Sequence, residues 1–256
     1  MGSKPPVIIF TPTHEEYRAI ADSLMGGGFD NFTALVVETG AGKINTAASA
    51  AARLAEFAAS RDKPLMLLGA GTAGSLNLKL KAGETIFADG TVIGDWAMET
   101  DHARTFGAYG GPSYRALAGE APIPEMILAD DSPLTSEWGR RLAAKGFRPG
   151  RLLTSDTYFA GLSAKLEQGR LFGCLAADSE SGALALTARS KGLAWANLRV
   201  ITDTIDETLR QPEDDGQDIL EILALKVLVA LSTLDKMPQP SSCSSCGSPC
   251  GLLKNL

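Results

Sequence analysis

The chain is predicted to be an α/β protein, a three-layer αβα sandwich around a mixed, mostly parallel central sheet. Short apolar runs alternate with helical segments along most of the sequence, which is the pattern of strands covered by helices on both faces. Glycine-rich segments follow two of the runs, at Thr39-Gly40-Ala41-Gly42 and at Gly69-Ala70-Gly71-Thr72-Ala73-Gly74. The 256 residues are 45% hydrophobic and 21% charged, enough for one substantial core. One domain is expected over residues 1–236, and residues 237–256 are expected to be a cysteine-containing flexible tail.

Val7 to Phe10 reads as the first strand, and Thr11-Pro12-Thr13 leads into a helix from His14 to Leu24 that Gly26-Gly27-Gly28 ends. Ala34 to Glu38 is a second strand. The turn Gly40-Ala41-Gly42-Lys43 is read as structural; it is no P-loop, because the remaining glycine and the Lys-Ser/Thr pair are missing. The helix Lys43 to Ser60 is rich in alanine, whose small side chain permits close approach of its neighbours. Pro64 to Leu68 is a third strand running into the loop Gly69 to Gly74, which has G-x-G-x-x-G spacing. A dinucleotide site is disfavoured there, since no uninterrupted helix follows and no acid about 20 positions on closes a ribose-binding unit. A structural turn and a loop facing a nucleoside or anion both remain, and the second is favoured because glycines let backbone N–H groups approach a ligand.

Thr85 to Asp89 and Gly90 to Ile93 read as strands or a hairpin. Residues 94–123 read as a long, irregular, polar loop, in which Trp96 and Phe106 could cover a ligand or pack. A helix Pro133 to Lys145, a strand Arg151 to Thr154, a helix Leu162 to Gln168 and a strand Gly173 to Ala177 follow. A helix Ser181 to Lys191, a strand Ala194 to Thr202 and a helix Ile219 to Leu234 complete the alternation.

Glu180 and Asp203 each follow an apolar run that reads as a buried strand. A strand–helix–strand unit is expected to bring both acids to one edge of a parallel sheet, where α/β folds bind ligands. Two carboxylates in one cleft suit acid/base or hydroxyl-binding chemistry.

Net charge is −6 without basic clusters, which disfavours nucleic acid and anionic membranes as partners. No apolar segment of signal-peptide type follows Met1, and Glu221 and Lys226 interrupt the most apolar helix, so no membrane span and a cytoplasmic location are expected. Cys243, Cys246 and Cys250 leave a zinc site one ligand short and are read as part of the tail. His14 and His102 read as surface or loop histidines.

Four segments, in this order, resemble the nucleoside phosphorylase/nucleosidase superfamily, specifically the branch of hexameric phosphorylases and methylthioadenosine/S-adenosylhomocysteine nucleosidases. They are Thr39 to Ala47; Gly71-Thr-Ala-Gly-Ser-Leu76 with Leu80-Lys-Ala-Gly-Glu84; Thr154-Ser-Asp-Thr-Tyr-Phe159; and the pairs Ser179-Glu180 and Thr202-Asp203. The resemblance implies that Asp203 is a general acid protonating N7 of a departing purine. It implies that Glu180 accepts hydrogen bonds from the ribose hydroxyls, and that Glu16, or Glu15 in second place, orients an attacking water. Tyr158 or Phe159 would stack on the base, Thr72 would place a hydroxyl near the nucleophile, and Gly74 and Ser179 would complete the substrate-binding set. Bland roles compete: first-turn helix acids for Glu15, Glu16 and Glu180, a turn cap for Asp203, and core packing for Tyr158 and Phe159.

Phosphorylases of this branch carry an arginine three residues before the hydroxyl that Thr72 matches, and here that position is Gly69. A phosphate dianion without a guanidinium fork is poorly held, so hydrolysis is expected, on a methylthioadenosine/S-adenosylhomocysteine- or futalosine-type nucleoside. A phosphate-dependent phosphorylase and a non-catalytic nucleoside-binding protein are the alternatives. Ser179 stands where the branch has a methionine, which leaves the substrate open. No metal or organic cofactor is expected, and a homodimer or higher homo-oligomer is.

Overall fold

A computed structural model of the chain describes residues 4–58, 63–95, 97–100, 103–106, 114–115, 127–130, 132–203 and 216–238. The first strand β1 (Pro6–Thr11) is followed by α1 (His14–Leu24), β2 (Thr33–Glu38), α2 (Lys43–Ala58), β3 (Met66–Ser75) and β4 (Thr85–Ile93). Three short strands come next, β5 (Ala97–Thr100), β6 (Ala103–Phe106) and β7 (Tyr114–Arg115), then β8 (Ile127–Ala129), α3 (Pro133–Ala143) and β9 (Arg148–Thr154). The chain continues with α4 (Leu162–Phe172), β10 (Ala176–Asp178), α5 (Ser181–Ser190), β11 (Ala194–Asp203) and α6 (Gly216–Asp235).

The main sheet runs in the order β10-β9-β4-β11-β3-β1-β2. It is mixed: β1 pairs in parallel with β2 and β3, and β11 with β3, whereas β11 and β4 run antiparallel. Side chains alternate between its faces, as a period of two requires. Val7, Ile9, Met66, Leu68, Ala196 and Leu198 face a core closed by α1, α3 and α6. Ile8, Phe10, Leu67 and Trp195 face the opposite core, closed by α2 and α5. Ala50 of α2 and Ala185 and Ala188 of α5 are buried in that second core, where their small side chains let the two helices lie close. The predicted helix–sheet–helix layering is therefore the observed one.

The sheet also closes on itself. Ala176 and Ala177 of β10 pair antiparallel with Ser75 and Gly74 of β3, so β3, β11, β4, β9 and β10 form a ring. Ala73, Ile86, Leu152, Ala176 and Ile201, one from each strand of the ring, make an apolar cluster that fills it.

Several expectations need correction. The strand–helix–strand unit around Glu180 and Asp203 is not parallel: β10 runs antiparallel to β3 and β3 parallel to β11, so β10 and β11 oppose one another. The acids still meet, because ring closure brings both strands onto β3. The glycine loop Gly69 to Gly74 is strand, not turn. The segment Thr85 to Ile93 is one strand whose pairing with β9 is irregular between Phe87 and Gly90; the Asp89-Gly90 step that suggests a turn is absorbed as that irregularity. Within 94–123, the described residues form an antiparallel sheet of β5, β6 and β7, strands too short to carry a legible alternation. Trp96, His102 and the cysteines 243, 246 and 250 lie outside the described residues. Among the described residues no helix is long and apolar enough to cross a membrane.

Candidate active site

Strand β3 is the floor of the site, and its glycines are spaces filled by other residues' polar groups. A methyl group on Gly71 would lie 3.1 Å from Glu16 Oε1, and one on Gly74 3.1 Å from Asp203 Oδ1. One on Gly69 would sit 2.1 Å from Asn197 Oδ1, closer than any real contact. The glycines therefore do not serve a turn. They let carboxylates from α1 and β11 reach the strand.

Glu16 is buried on the first turn of α1, where Thr13 caps the helix in a capping box. Thr13 donates to Glu16 Oε2 from its backbone N–H at 3.2 Å and from its hydroxyl at 3.1 Å. Thr72 donates to Oε1 from its N–H at 2.8 Å and its hydroxyl at 2.9 Å. The carboxylate is thus fixed between a helix start and β3. Glu15 and Arg18 point to solvent and take no part.

Glu180 sits at the N-terminus of α5 and is buried. Its Oε1 accepts from the Gly42 N–H at 2.9 Å, and its Oε2 lies 3.8 Å from Arg199 Nη2. Burial pushes the Glu180 carboxyl above its ordinary value; the charge of Asp178 adds to this, while Arg199 and the Gly42 N–H oppose it. The turn Gly40 to Lys43, for which the sequence favours a structural role over a ligand-facing one, thus reaches into the site. Gly42 has φ 92°, a left-handed conformation that glycine adopts without strain. Lys43 ties the same turn to the ends of two strands, pairing with Asp95 after β4 and, at 3.1 Å, with Asp156 after β9.

Beneath Glu180 lies an ion pair that the site reading missed. Arg199 and Asp178 are both about 1% exposed at their side chains, and Arg199 Nε donates to Asp178 Oδ2 at 2.7 Å. Thr154 donates to Asp178 Oδ1 at 3.1 Å, and the Ser181 hydroxyl donates to Oδ2. The available signal was an arginine inside the apolar run Leu198-Arg199-Val200-Ile201: a charge there needs a buried partner, and Asp178 stands at the end of the preceding strand.

Asp203 ends β11. Its Oδ1 accepts from the Thr202 hydroxyl at 3.1 Å and its Oδ2 is paired with the ammonium of Lys165, on α4. Lys165 was also missed; on a short helix with little segregation of apolar and polar residues nothing marks one lysine as inward-facing. A cleft of about 120 Å³ opens beside the pair, lined by Gly74, Tyr158, Phe159, Lys165, Ser179 and Asp203, among others. Phe159 packs on the cluster of Leu76, Leu153 and Phe172, while Tyr158 is 77% exposed at the rim. The Ser179 hydroxyl donates to the Ser155 carbonyl at 3.1 Å, holding the two segments of the cleft wall together. Among the described residues no group of His, Cys, Asp and Glu is placed to hold a metal ion.

The arrangement sets an aspartate–ammonium pair on one side (Asp203 with Lys165), a buried carboxyl for hydroxyl groups (Glu180), and a second carboxyl fixed over β3 by two threonines (Glu16). Such a set suits cleavage of a bond between a sugar and a base.

The sequence pattern of the phosphorylase superfamily matches residues 12–233. No curated protein sequence matches the chain. Among solved structures, the fold is similar to 5'-methylthioadenosine/S-adenosylhomocysteine nucleosidase from Helicobacter pylori, at TM-score 0.70 and 17% identity, covering 90% of this chain and 98% of that one. It is similar to the futalosine hydrolase of Helicobacter pylori, at TM-score 0.67 and 19% identity, covering 90% and 97%. It is also similar to the S-adenosylhomocysteine nucleosidase from Streptococcus pyogenes, at TM-score 0.69 and 21% identity, covering 93% and 99%.

Proposed function

Since the chain belongs to the phosphorylase superfamily, we propose that it is a purine-nucleoside N-ribosyl hydrolase, acting on a methylthioadenosine/S-adenosylhomocysteine- or futalosine-type substrate. The observation that carries the choice of water over phosphate is the environment of Thr72. Its N–H and hydroxyl are both engaged by the Glu16 carboxylate, at 2.8 and 2.9 Å. An anion already fills the place where phosphate would need donors. Three residues earlier stands Gly69 and not an arginine, and a side chain there would have to displace Asn197. The phosphorylase reading has no comparable support.

In this mechanism the purine lies in the cleft against Phe159 and Tyr158, with N7 at Asp203. The C1'–N9 bond breaks, its electron pair passes to the base, and Asp203 gives its proton to N7. Glu180 holds the ribose diol and offsets the positive charge that develops on the sugar. Glu16 accepts a proton from the water whose oxygen bonds to C1'. Asp178 and Arg199 act through Glu180, by fixing its position and moderating its charge. Thr72 does the same for Glu16.

Asp203→Asn tests the proposal against a non-catalytic nucleoside-binding protein. General acid catalysis is worth about 10²–10⁴-fold, so turnover is expected to fall by that order while nucleoside affinity, measured by calorimetry, changes little. A wild-type chain that binds purine nucleosides and releases no base would overturn it.

A further inference from the structure

The Lys165–Asp203 pair bears on which purine the cleft takes. Lys165 is 7% exposed and lines the cleft, with its ammonium on Asp203 Oδ2. Among the described residues lining the cleft it is the one cation. An ammonium carries three donors and no acceptor. One is taken by Asp203, which leaves the group able to donate beside the same carboxyl.

On the purine, the atoms next to each other on the edge that Asp203 would address are N7 and the substituent at C6. In 6-oxopurines both are acceptors, N7 and O6. In adenine N7 is an acceptor, but the C6 amino group is a donor. In the role of proton donor to N7, Asp203 beside the Lys165 ammonium presents two donors. That matches the first pattern and opposes the second, since donor would face donor.

We infer that Lys165 makes this a site for 6-oxopurine nucleosides rather than adenine nucleosides, by donating to O6 while Asp203 donates to N7. The inference rests on the reading of Asp203 as the proton donor to the base. The chemistry of the leaving group reinforces it. Until the Asp203 proton has fully passed to N7, the electron pair of the breaking C1'–N9 bond spreads over the purine, and in a 6-oxopurine part of that negative charge falls on O6. The ammonium then meets a charge that is larger in the transition state than in the bound nucleoside, which is the condition for raising kcat and not affinity alone. Lys165 need not lose a proton; the proton delivered to N7 is the Asp203 proton.

The test uses matched nucleosides differing only at C6: inosine against adenosine, and the same pair carrying a 5'-methylthio group. Base release is read for the wild type, Lys165→Met and Lys165→Arg, and binding of free hypoxanthine and adenine to the wild type is read by calorimetry. The wild type is expected to prefer the 6-oxo member in kcat/KM by about tenfold or more and to bind hypoxanthine more tightly than adenine. Lys165→Met should bring the kcat/KM ratio to about one, and Lys165→Arg, which keeps charge and donors, should retain part of the preference. A wild type that prefers the adenine member in both turnover and base binding overturns the inference and leaves the hydrolase reading standing, as does a ratio that Lys165→Met does not move. If Lys165→Met does not fold, the calorimetric comparison on the wild type decides. A wild type that neither cleaves any of these nucleosides nor binds either base overturns the reading of the cleft itself.

Discussion

Glu180 is buried beside Asp178 at the start of α5, and the raised carboxyl that results has a sign that experiment can read. Between the ordinary carboxyl value and the raised one, the folded chain holds a proton that the unfolded chain has lost. Stability from this residue is therefore fully present at low pH and is lost as pH rises through that window. Glu180→Gln removes the titration and keeps an acceptor for the Gly42 N–H. Thermal unfolding across a pH series should show the variant gaining on the wild type as pH rises, while turnover at neutral pH falls by two orders of magnitude or so. Parallel stability curves for the two proteins would mean that Glu180 is not the titrating group. The positions of Glu180 and Asp203 at strand ends were legible in the sequence, because each stands where an apolar run gives way to polar residues, whereas Glu16 was singled out by the family resemblance. Of the neighbouring acids Glu15 and Glu16, the helix N-cap at Thr13 decides: the capping-box position three residues on belongs to Glu16. Arg199, Asp178 and Lys165 were not read, since their importance lies in pairings between segments far apart in the chain.

At the scale of elements, β3 carries the site by what its glycines lack. Gly69 is the sharpest case, because Asn197 Oδ1 occupies the space where a Cβ would go. Gly69→Ala is expected to cost about 1–3 kcal/mol, read as a lowered denaturant midpoint; an unchanged midpoint would show that Asn197 can move aside. The G-x-G-x-x-G spacing suggested a loop because glycine is the commonest mark of a turn, and composition alone does not separate a turn glycine from one that admits a neighbour's side chain. For the same reason the expected parallel unit around Glu180 and Asp203 was wrong in direction yet right in consequence. Both strands end on β3, which a local reading of strand–helix–strand order cannot foresee when the sheet closes on itself.

Over the whole molecule, the ring of β3, β11, β4, β9 and β10 joins the site to the core. The Asp178–Arg199 pair binds β10 to β11 across it, with Thr154 of β9 and Ser181 of α5 completing the carboxylate's shell. Removing one member leaves the other charged and buried, so Arg199→Met is expected to lower stability by about 3–5 kcal/mol. Replacing Asp178 as well, by an apolar residue of similar volume, should return much of that loss; no recovery in the double variant would mean that the pair does more than neutralise itself. The alternation of strands and helices made the layered α/β architecture legible from sequence, because each layer buries one face with its own period. The hydrolytic reading turns on Glu16 holding Thr72 where a phosphate would otherwise find its donors. The most direct measurement is the sugar product formed from a cleaved purine nucleoside with and without inorganic phosphate. Free ribose, at a rate that phosphate does not raise, is the expected result; phosphate-stimulated formation of ribose 1-phosphate would contradict it.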